Sequence, residues 1–162
     1  SQGGSVSPEE LLWHLKENLE GVVSTPEEPT FIYEAETDLS HQMGYPDGEG
    51  WACNTADQQA GHMCYGPYAT DLNPGKYTAT FRLMIDVTGP PASNDKVVTL
   101  DVYDANTGVF MAMKSLNRYD FNAPYTMQEF PLEFVNEAGS NLEFRVFWHA
   151  TSYVNVDKVI VE

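Results

Sequence analysis

Residues 76–85 read KYTATFRLMI, and apolar side chains occupy every second position of this stretch. The two alternating sets are Tyr77, Ala79, Phe81, Leu83 and Ile85 on one side, and Thr78, Thr80, Arg82 and Met84 on the other. This period of two is typical of a β-strand that faces a core on one side and water on the other. The stretch therefore predicts a strand, and the same pattern can be sought in the rest of the chain.

The same alternation recurs in residues 98–103 and 142–148, where it places Trp148 in the core. Turn-forming sequences such as 73–75 (NPG) and 89–91 (GPP) separate the apolar runs. We predict about eight strands, near residues 31–36, 62–68, 76–86, 96–103, 109–116, 127–135, 141–149 and 153–161. Many short strands with no helix between them predict an all-β domain over residues 30–162, an antiparallel β-sandwich or barrel.

Two segments depart from this pattern. Residues 1–29 begin with a helix-capping sequence at Ser7-Pro8-Glu9-Glu10, followed by leucines 11, 12, 15 and 19 at helical spacing. They predict one short α-helix followed by a linker rich in proline and glutamate. Residues 37–61 show no periodicity, and a connection this long inside a compact domain is usually functional.

The charge balance excludes some classes of partner. The chain has 8 basic and 24 acidic residues, a net charge of −16. Such a charge repels the phosphates of nucleic acids and anionic membranes, and no apolar run approaches the ~18 residues of a membrane helix. Neutral glycans, cations and basic surfaces remain as candidate partners.

The only two cysteines, Cys53 and Cys64, are separated by a polar stretch. We expect a disulfide that closes a short loop and stabilises it by roughly 3 kcal/mol. Two free, buried thiols are the alternative. A zinc site is disfavoured because two cysteines and the nearby His62 supply too few ligands.

Acidic side chains mark both ends of the predicted sandwich. On a strand, Glu34 and Glu36 project to the same face about 7 Å apart, and Asp157 interrupts an apolar run in the last strand. A hard cation such as calcium would explain these acids if the first and last strands lie side by side. Alternatively, the acids are solvated and Lys158 pairs with one of them.

The arrangement of four short motifs resembles carbohydrate-binding modules of families six and thirty-five. These are residues 33–36 (YEAE) at the start, 156–159 (VDKV) at the end, and 61–68 (GHMCYGPY) followed by 72–77 (LNPGKY) between them. The resemblance covers residues 31–161 in order. It implies a β-jelly roll with a structural calcium ion, bound here by Glu34, Glu36 and Asp157.

The resemblance also implies a sugar site in loops at one end of the sandwich, where aromatic faces stack on pyranose rings and polar groups pair with hydroxyls. The candidate rings and polar partners are Tyr45, Trp51, Tyr119, Tyr125, Tyr153, Arg118, Asn122, His149 and Asn155. Arg118 would matter most for an acidic sugar, because a guanidinium grips a carboxylate in two places. This chain departs from the family in its longer loops, its possible disulfide and its N-terminal helix, and Thr151 and Ser152 stand where the family often has an asparagine.

These features predict a secreted, non-catalytic carbohydrate-binding module, one domain of a larger bacterial protein that carries a catalytic or surface domain. A structural or adhesive sandwich that packs on a neighbouring domain is the second hypothesis. A small jelly-roll enzyme acting on polysaccharides is the third, although the chain has no Gly-x-Ser-x-Gly motif and no closely spaced histidine pair.

Overall fold

The computed structural model describes residues 29–89 and 95–162, and within these ranges it contains eleven strands and one short 3-10 helix, Arg118–Asp120. The strands in chain order are β1 (Phe31–Glu34), β2 (Tyr45–Asp47), β3 (Gly50–Cys53), β4 (Gly61–Cys64), β5 (Pro67–Ala69), β6 (Gly75–Ile85), β7 (Lys96–Asp104), β8 (Val109–Asn117), β9 (Gln128–Asn136), β10 (Leu142–Trp148) and β11 (Val154–Val161).

The strands form two sheets in which every pairing is antiparallel. The first sheet has the order β2-β3-β11-β6-β9, and β1 also pairs with β11. The second sheet has the order β4-β10-β7-β8, and β5 also pairs with β10. The predicted antiparallel β-sandwich is confirmed.

The core lies between the inward faces of the two sheets. From β6 it receives the alternating set that begins at Tyr77 and ends at Ile85, and from β10 it receives Leu142, Phe144, Val146 and Trp148. Burying each large apolar side chain contributes about 1.5–3 kcal/mol. Trp148 is fully buried, as predicted, and its Nε1–H donates to the Ser152 carbonyl at 2.7 Å. This hydrogen bond satisfies the one polar group that the indole brings into the core.

The structure differs from the predicted strands in two places. Residues 37–61 contain β2 and β3, which form a hairpin whose second strand pairs with β11. These strands are three and four residues long, too short for a period of two to be recognised. The predicted strand 62–68 is divided into β4 and β5, because Gly66, with a φ of +86°, turns the chain between two pairings with β10.

The predicted disulfide is not what the structure shows, because Cys53 and Cys64 are free thiols, both buried in the core. This is the alternative of two buried thiols, in which cysteine packs as a small apolar side chain. Burial raises the pKa of Cys53 to about 12, and burial, with smaller effects from Cys53 and Glu36, raises that of Cys64 further. Both groups are therefore thiols rather than nucleophilic thiolates at neutral pH.

The predicted N-terminal helix and its linker lie outside the described residues, apart from Pro29. In the part of the chain that the structure describes, we find no helix with the length and apolar character needed to cross a bilayer.

Candidate functional site

The outer face of the first sheet carries a groove of about 450 Å³. Its floor comes from β6 and β11, and its walls come from the β2–β3 hairpin on one side and the segment before β9 on the other. The residues that line the groove are Asp47, Gly48, Glu49, Gly50, Arg82, Met84, Tyr125, Met127, Tyr153, Asn155 and Asp157.

A small hydrogen-bond network fixes the hairpin wall to the floor. The Tyr153 hydroxyl donates to Asp47 Oδ2 at 2.6 Å. Asn155 Nδ2 donates to the Asp47 carbonyl at 3.1 Å and to the Tyr153 hydroxyl oxygen at 3.2 Å. Burial and the hydrogen bond to Asp47 raise the pKa of Tyr153 to about 12, so its hydroxyl keeps its proton at neutral pH. The network thereby holds three polar groups in fixed positions beside the groove.

Asn155 also has one side-chain oxygen without a hydrogen-bond partner. The residue is 3% exposed, and its Oδ1 is buried with no hydrogen-bond partner among the described residues. A buried polar atom without a partner costs about 1–3 kcal/mol. The atom is enclosed between Gly50 of the hairpin and the floor, so it is not open to a ligand in the groove.

Gly50 is where the hairpin comes closest to the floor. A Cβ atom at this position would contact the side chain of Asn155 and lie 2.7 Å from the Val156 carbonyl oxygen. The absence of a side chain therefore lets the hairpin approach β11 closely enough for the network to form.

Two tyrosine rings line the groove side by side. Tyr125 is 67% exposed, and its ring centre lies 6.2 Å from that of Tyr153 at an interplanar angle of 42°. The Tyr125 N–H donates to the Ile85 carbonyl at 2.7 Å, which ties the loop before β9 to the end of β6. Its φ of +52° is unusual for a residue with a side chain. The backbone thus holds an aromatic ring in an exposed position next to polar groups.

The groove carries more negative than positive charge. Arg82 donates from Nε to Asp157 Oδ2 at 3.0 Å, and its Nη1 lies 3.5 Å from Glu129 Oε2. Asp47 and Glu49 form no ion pair with any described residue. Because Arg82 is shared between two acids, the groove disfavours anionic ligands and accepts neutral or cationic ones.

Of the predicted sugar-site residues, the structure brings Tyr125, Tyr153 and Asn155 together in the groove. The Trp51 ring is stacked on the His41 ring, with 3.6 Å between the ring centres, and its Nε1–H donates to the Met43 carbonyl. Tyr45 is half-buried in β2. Neither Trp51 nor Tyr45 lines the groove.

The remaining predicted polar and aromatic residues lie elsewhere. Arg118 donates from Nε to Ser152 Oγ at 2.9 Å and from Nη2 to the Thr151 carbonyl at 3.0 Å. Tyr119 is 61% exposed near Gly89, and Asn122 donates its backbone N–H to Gln128. His149 follows β10 in the second sheet, where its Nε2 shares a hydrogen bond with Thr99 Oγ1, and burial lowers its pKa. Arg118, Tyr119, Asn122 and His149 are outside the groove lining.

Sequence reasoning missed most of the hairpin wall. Asp47, Glu49 and Gly50 fell in the stretch expected to be a functional loop, but no pattern indicated which of its residues would face a ligand. The long connection itself was the available signal, and the structure places part of it in the wall of the groove.

The first and last strands are neighbours, as predicted. β1 pairs with β11 so that Glu34 lies opposite Lys158, and the Ala35 N–H donates to the Asp157 carbonyl at 2.9 Å. Lys158 Nζ lies 3.3 Å from Glu34 Oε2, which is the ion pair that the sequence allowed as the alternative to a metal.

The three acids do not meet as one cluster, and within the described ranges no group of three or more His, Cys, Asp or Glu side chains is arranged to hold a metal ion. Glu36 differs from the other two because its Oε1 is buried without a hydrogen-bond partner. Calcium binding by Glu34, Glu36 and Asp157 stays a prediction.

Comparison with known proteins gives matches in structure but not in sequence. No family model matches the chain, and no curated protein sequence matches it. The carboxy-terminal CBM6 module of LamC, a marine laminarinase from Zobellia galactanivorans, superposes with a TM-score of 0.53 at 13% identity, over 82% of this chain and 98% of that module. A carbohydrate-binding module of Cellvibrio mixtus lichenase 5A, solved with cellotriose, gives a TM-score of 0.48 at 13% identity over 82% and 95%.

The first of these two matches carries the conclusion on the fold, since it spans nearly the whole of a single module. At 13% identity the similarity concerns the backbone fold, and it does not extend to the side chains that would bind a ligand. The chain therefore has the β-sandwich fold of a CBM6-type carbohydrate-binding module.

Proposed function

We propose that this chain is a non-catalytic module that binds a neutral polysaccharide or oligosaccharide in the groove on the outer face of the first sheet. The observation that carries the proposal is the exposed ring of Tyr125 beside Tyr153, next to the network of Asp47, Tyr153 and Asn155. A pyranose has apolar C–H faces that pack on aromatic rings and hydroxyls that need donors and acceptors close by. The groove offers both.

The groove also narrows the class of sugar. Its excess of acidic side chains disfavours uronic acids, and Arg118, the predicted partner of an acidic sugar, is occupied by Ser152 and Thr151 away from it. We infer that the preferred ligand is an uncharged glycan.

A shared groove with two tyrosines favours sugar binding over a purely structural or adhesive sandwich, because rings kept for packing would be buried. The CBM6-type fold supports a role as one domain of a secreted or cell-surface bacterial protein, in which the module would hold an attached catalytic or surface domain near its polysaccharide.

The test replaces Tyr125 by alanine and compares binding with that of a matched variant, Tyr119→Ala. Both rings are more than half exposed, but only Tyr125 lines the groove. Truncating a central aromatic contact usually costs more than 1 kcal/mol, so Tyr125→Ala should weaken binding about tenfold or more while Tyr119→Ala leaves it unchanged. Affinity electrophoresis and calorimetry against laminarin, mixed-linkage glucan, xylan, mannan, alginate and pectin measure both effects.

Binding to none of these polysaccharides by the unmodified protein would overturn the proposal. Equal losses in the two variants would place the sugar site outside the groove. Tighter binding to alginate or pectin than to the neutral polymers would refute the assignment to uncharged glycans.

We further propose a structural calcium ion near the junction of β1 and β11. The residue that fits it is Glu36, whose buried Oε1 lacks a donor. The carboxylates of Glu34 and Asp157 are engaged by Lys158 and Arg82, so they fit less well as placed. When bound, the ion would neutralise the Glu36 carboxylate and stabilise the junction of the first and last strands.

Removal of calcium by EGTA should then lower the melting temperature. A ligand that binds only the folded state at 100 times its Kd stabilises that state by about 2.7 kcal/mol, which corresponds to a shift of about 5–10 °C for a domain of this size. The variant Glu36→Gln should melt at the same temperature with and without EGTA. A melting curve of the unmodified protein that EGTA does not change would show that calcium does not stabilise the fold.

A further inference from the structure

The outer face of the second sheet carries a separate pocket of about 230 Å³, which we name the second-sheet pocket. It is lined by Gln42, His62, Tyr65, Tyr68, Glu143 and Arg145. It shares no residue with the groove on the first sheet. Its properties are therefore independent of the function proposed above.

The carboxylate of Glu143 opens into this pocket and has no partner among the described residues. Glu143 is 6% exposed, and no described residue donates a hydrogen bond to its side chain or forms an ion pair with it. Its oxygens are not among the enclosed side-chain atoms that lack a partner, so a ligand in the pocket can reach them. The pocket thus contains an acceptor that a ligand could satisfy.

The neighbouring arginine does not serve this carboxylate. Arg145 donates from Nε to Asp101 Oδ1 at 2.8 Å, and the side chains of both residues are largely buried. Burial and the adjacent Arg145 lower the pKa of His62, so the imidazole is neutral at pH 7. Because the charge of Arg145 is balanced by Asp101 and His62 is neutral, Glu143 gives the pocket a net charge of about −1.

The aromatic rings at the pocket suit a cation as well. Tyr68 is 45% exposed, and Tyr65 lies beside it in the lining. The same face already shows a cation on a ring, since the Arg145 guanidinium lies 3.9 Å from the ring centre of Tyr103. Aromatic faces attract ammonium and guanidinium groups by about 0.5–2 kcal/mol.

We propose that the second-sheet pocket binds the primary ammonium group of an amino sugar. The ammonium donates to the Glu143 carboxylate and balances its charge, while the sugar hydroxyls pair with the polar groups of Gln42, His62 and the two tyrosines. The pocket is smaller than the ~300–1,000 Å³ of sites for drug-sized ligands, so it takes one sugar unit. A lysine side chain is disfavoured because its four-carbon stem would meet a mainly polar lining.

The first test compares ligands on the unmodified protein below neutral pH, where the amine is protonated. Glucosamine is titrated beside N-acetylglucosamine, which has the same ring without the charge, and beside Nα-acetyl-lysine methylamide, which has the charge without the ring. Amide chemical shifts in NMR spectra follow binding. We expect glucosamine to bind about tenfold or more tightly than N-acetylglucosamine, because a hydrogen bond to a charged group contributes about 1.5–3 kcal/mol. The largest shifts should occur near Tyr68 and Glu143.

Equal binding of the two sugars, or no binding of glucosamine, would overturn the proposal. Tighter binding of the lysine derivative than of glucosamine would refute the amino sugar and identify a protein ligand instead.

The second test removes the charge with Glu143→Gln, matched by Glu137→Gln in the exposed turn after β9. The first substitution keeps the shape of the side chain and removes only its charge, so the variant should fold. Glucosamine affinity should fall about tenfold in Glu143→Gln and stay unchanged in Glu137→Gln. Tyr125→Ala, in the groove, should also leave it unchanged. A Glu143→Gln variant that binds glucosamine as the unmodified protein does would refute the pocket, and so would a loss of binding in Tyr125→Ala.

Discussion

Replacing Arg145 by methionine should lower the free energy of unfolding by about 3–5 kcal/mol, the cost of removing one partner from a buried ion pair. The substitution leaves the Asp101 carboxylate, which is 2% exposed, without the guanidinium that lies 2.8 Å from it. It also removes the cation from the rings of Tyr103 and Phe110. Thermal melts at neutral pH should show a decrease of about 10 °C or more.

The double variant Arg145→Met with Asp101→Asn is the matched control. It removes the orphaned charge as well as the cation, so we expect it to recover most of the lost stability. If the double variant is as unstable as the single one, the loss arises from the packing of the Arg145 side chain and not from the buried charge.

The pH dependence gives a further check on the same pair. Burial raises the pKa of Asp101, while Arg145 opposes this shift. Because the folded state then holds the proton more tightly than the unfolded state, the stability from this group is present below its unfolded pKa and is lost as the pH rises through its folded pKa. Without Arg145 the pKa rises further, so the deficit of Arg145→Met should shrink as the pH is lowered towards the acidic range.

Replacing Gly50 by alanine should impair both stability and glycan binding. The new Cβ would meet the Asn155 side chain and the Val156 carbonyl oxygen, which belong to the floor of the groove. Overpacking of this kind costs about 1–3 kcal/mol. The hairpin must move away from β11, which separates Asp47 from Tyr153 and Asn155, and we expect affinity for the neutral glycan to fall by about tenfold or more.

Gly139→Ala controls for the general effect of a glycine substitution. Gly139 lies in an exposed turn with a φ of +80°, and an added Cβ would have no neighbour within 4 Å, so alanine there adds only backbone strain of about 1 kcal/mol. It should leave binding unchanged. Calorimetry and thermal melts of the two variants separate the effects. Normal affinity in Gly50→Ala would mean that the hairpin wall does not contact the sugar.

Much of the sandwich could be predicted from the sequence because its strands are long enough to show a period of two. β6 and β10 were predicted from the alternation of their apolar residues, and that alternation also placed Trp148 in the core. The hairpin of β2 and β3 could not be predicted, since its strands are short and its pairing with β11 joins residues about 100 positions apart. Local sequence carries no signal for such a pairing.

The candidate site was predicted only in part for the same reason. Tyr125 and Tyr153 were candidates as loop aromatics, and the structure brings both to one groove. Trp51 was an equal candidate in the sequence, yet its ring is stacked on His41. Whether an aromatic side chain faces solvent or a neighbour depends on contacts across the sheet, which composition and spacing do not reveal.

The sequence by itself determined the antiparallel sandwich, the acidic surface and the region of the chain that builds one wall of the groove, because alternation, charge and loop length are local properties. Only the tertiary structure decided that Lys158 pairs with Glu34, that Asp47 accepts a hydrogen bond from Tyr153, and that Glu143 lines a pocket on the second sheet. The physical reason is that each of these depends on side chains distant in sequence, whose distances and desolvation are fixed when the two sheets form and pack together.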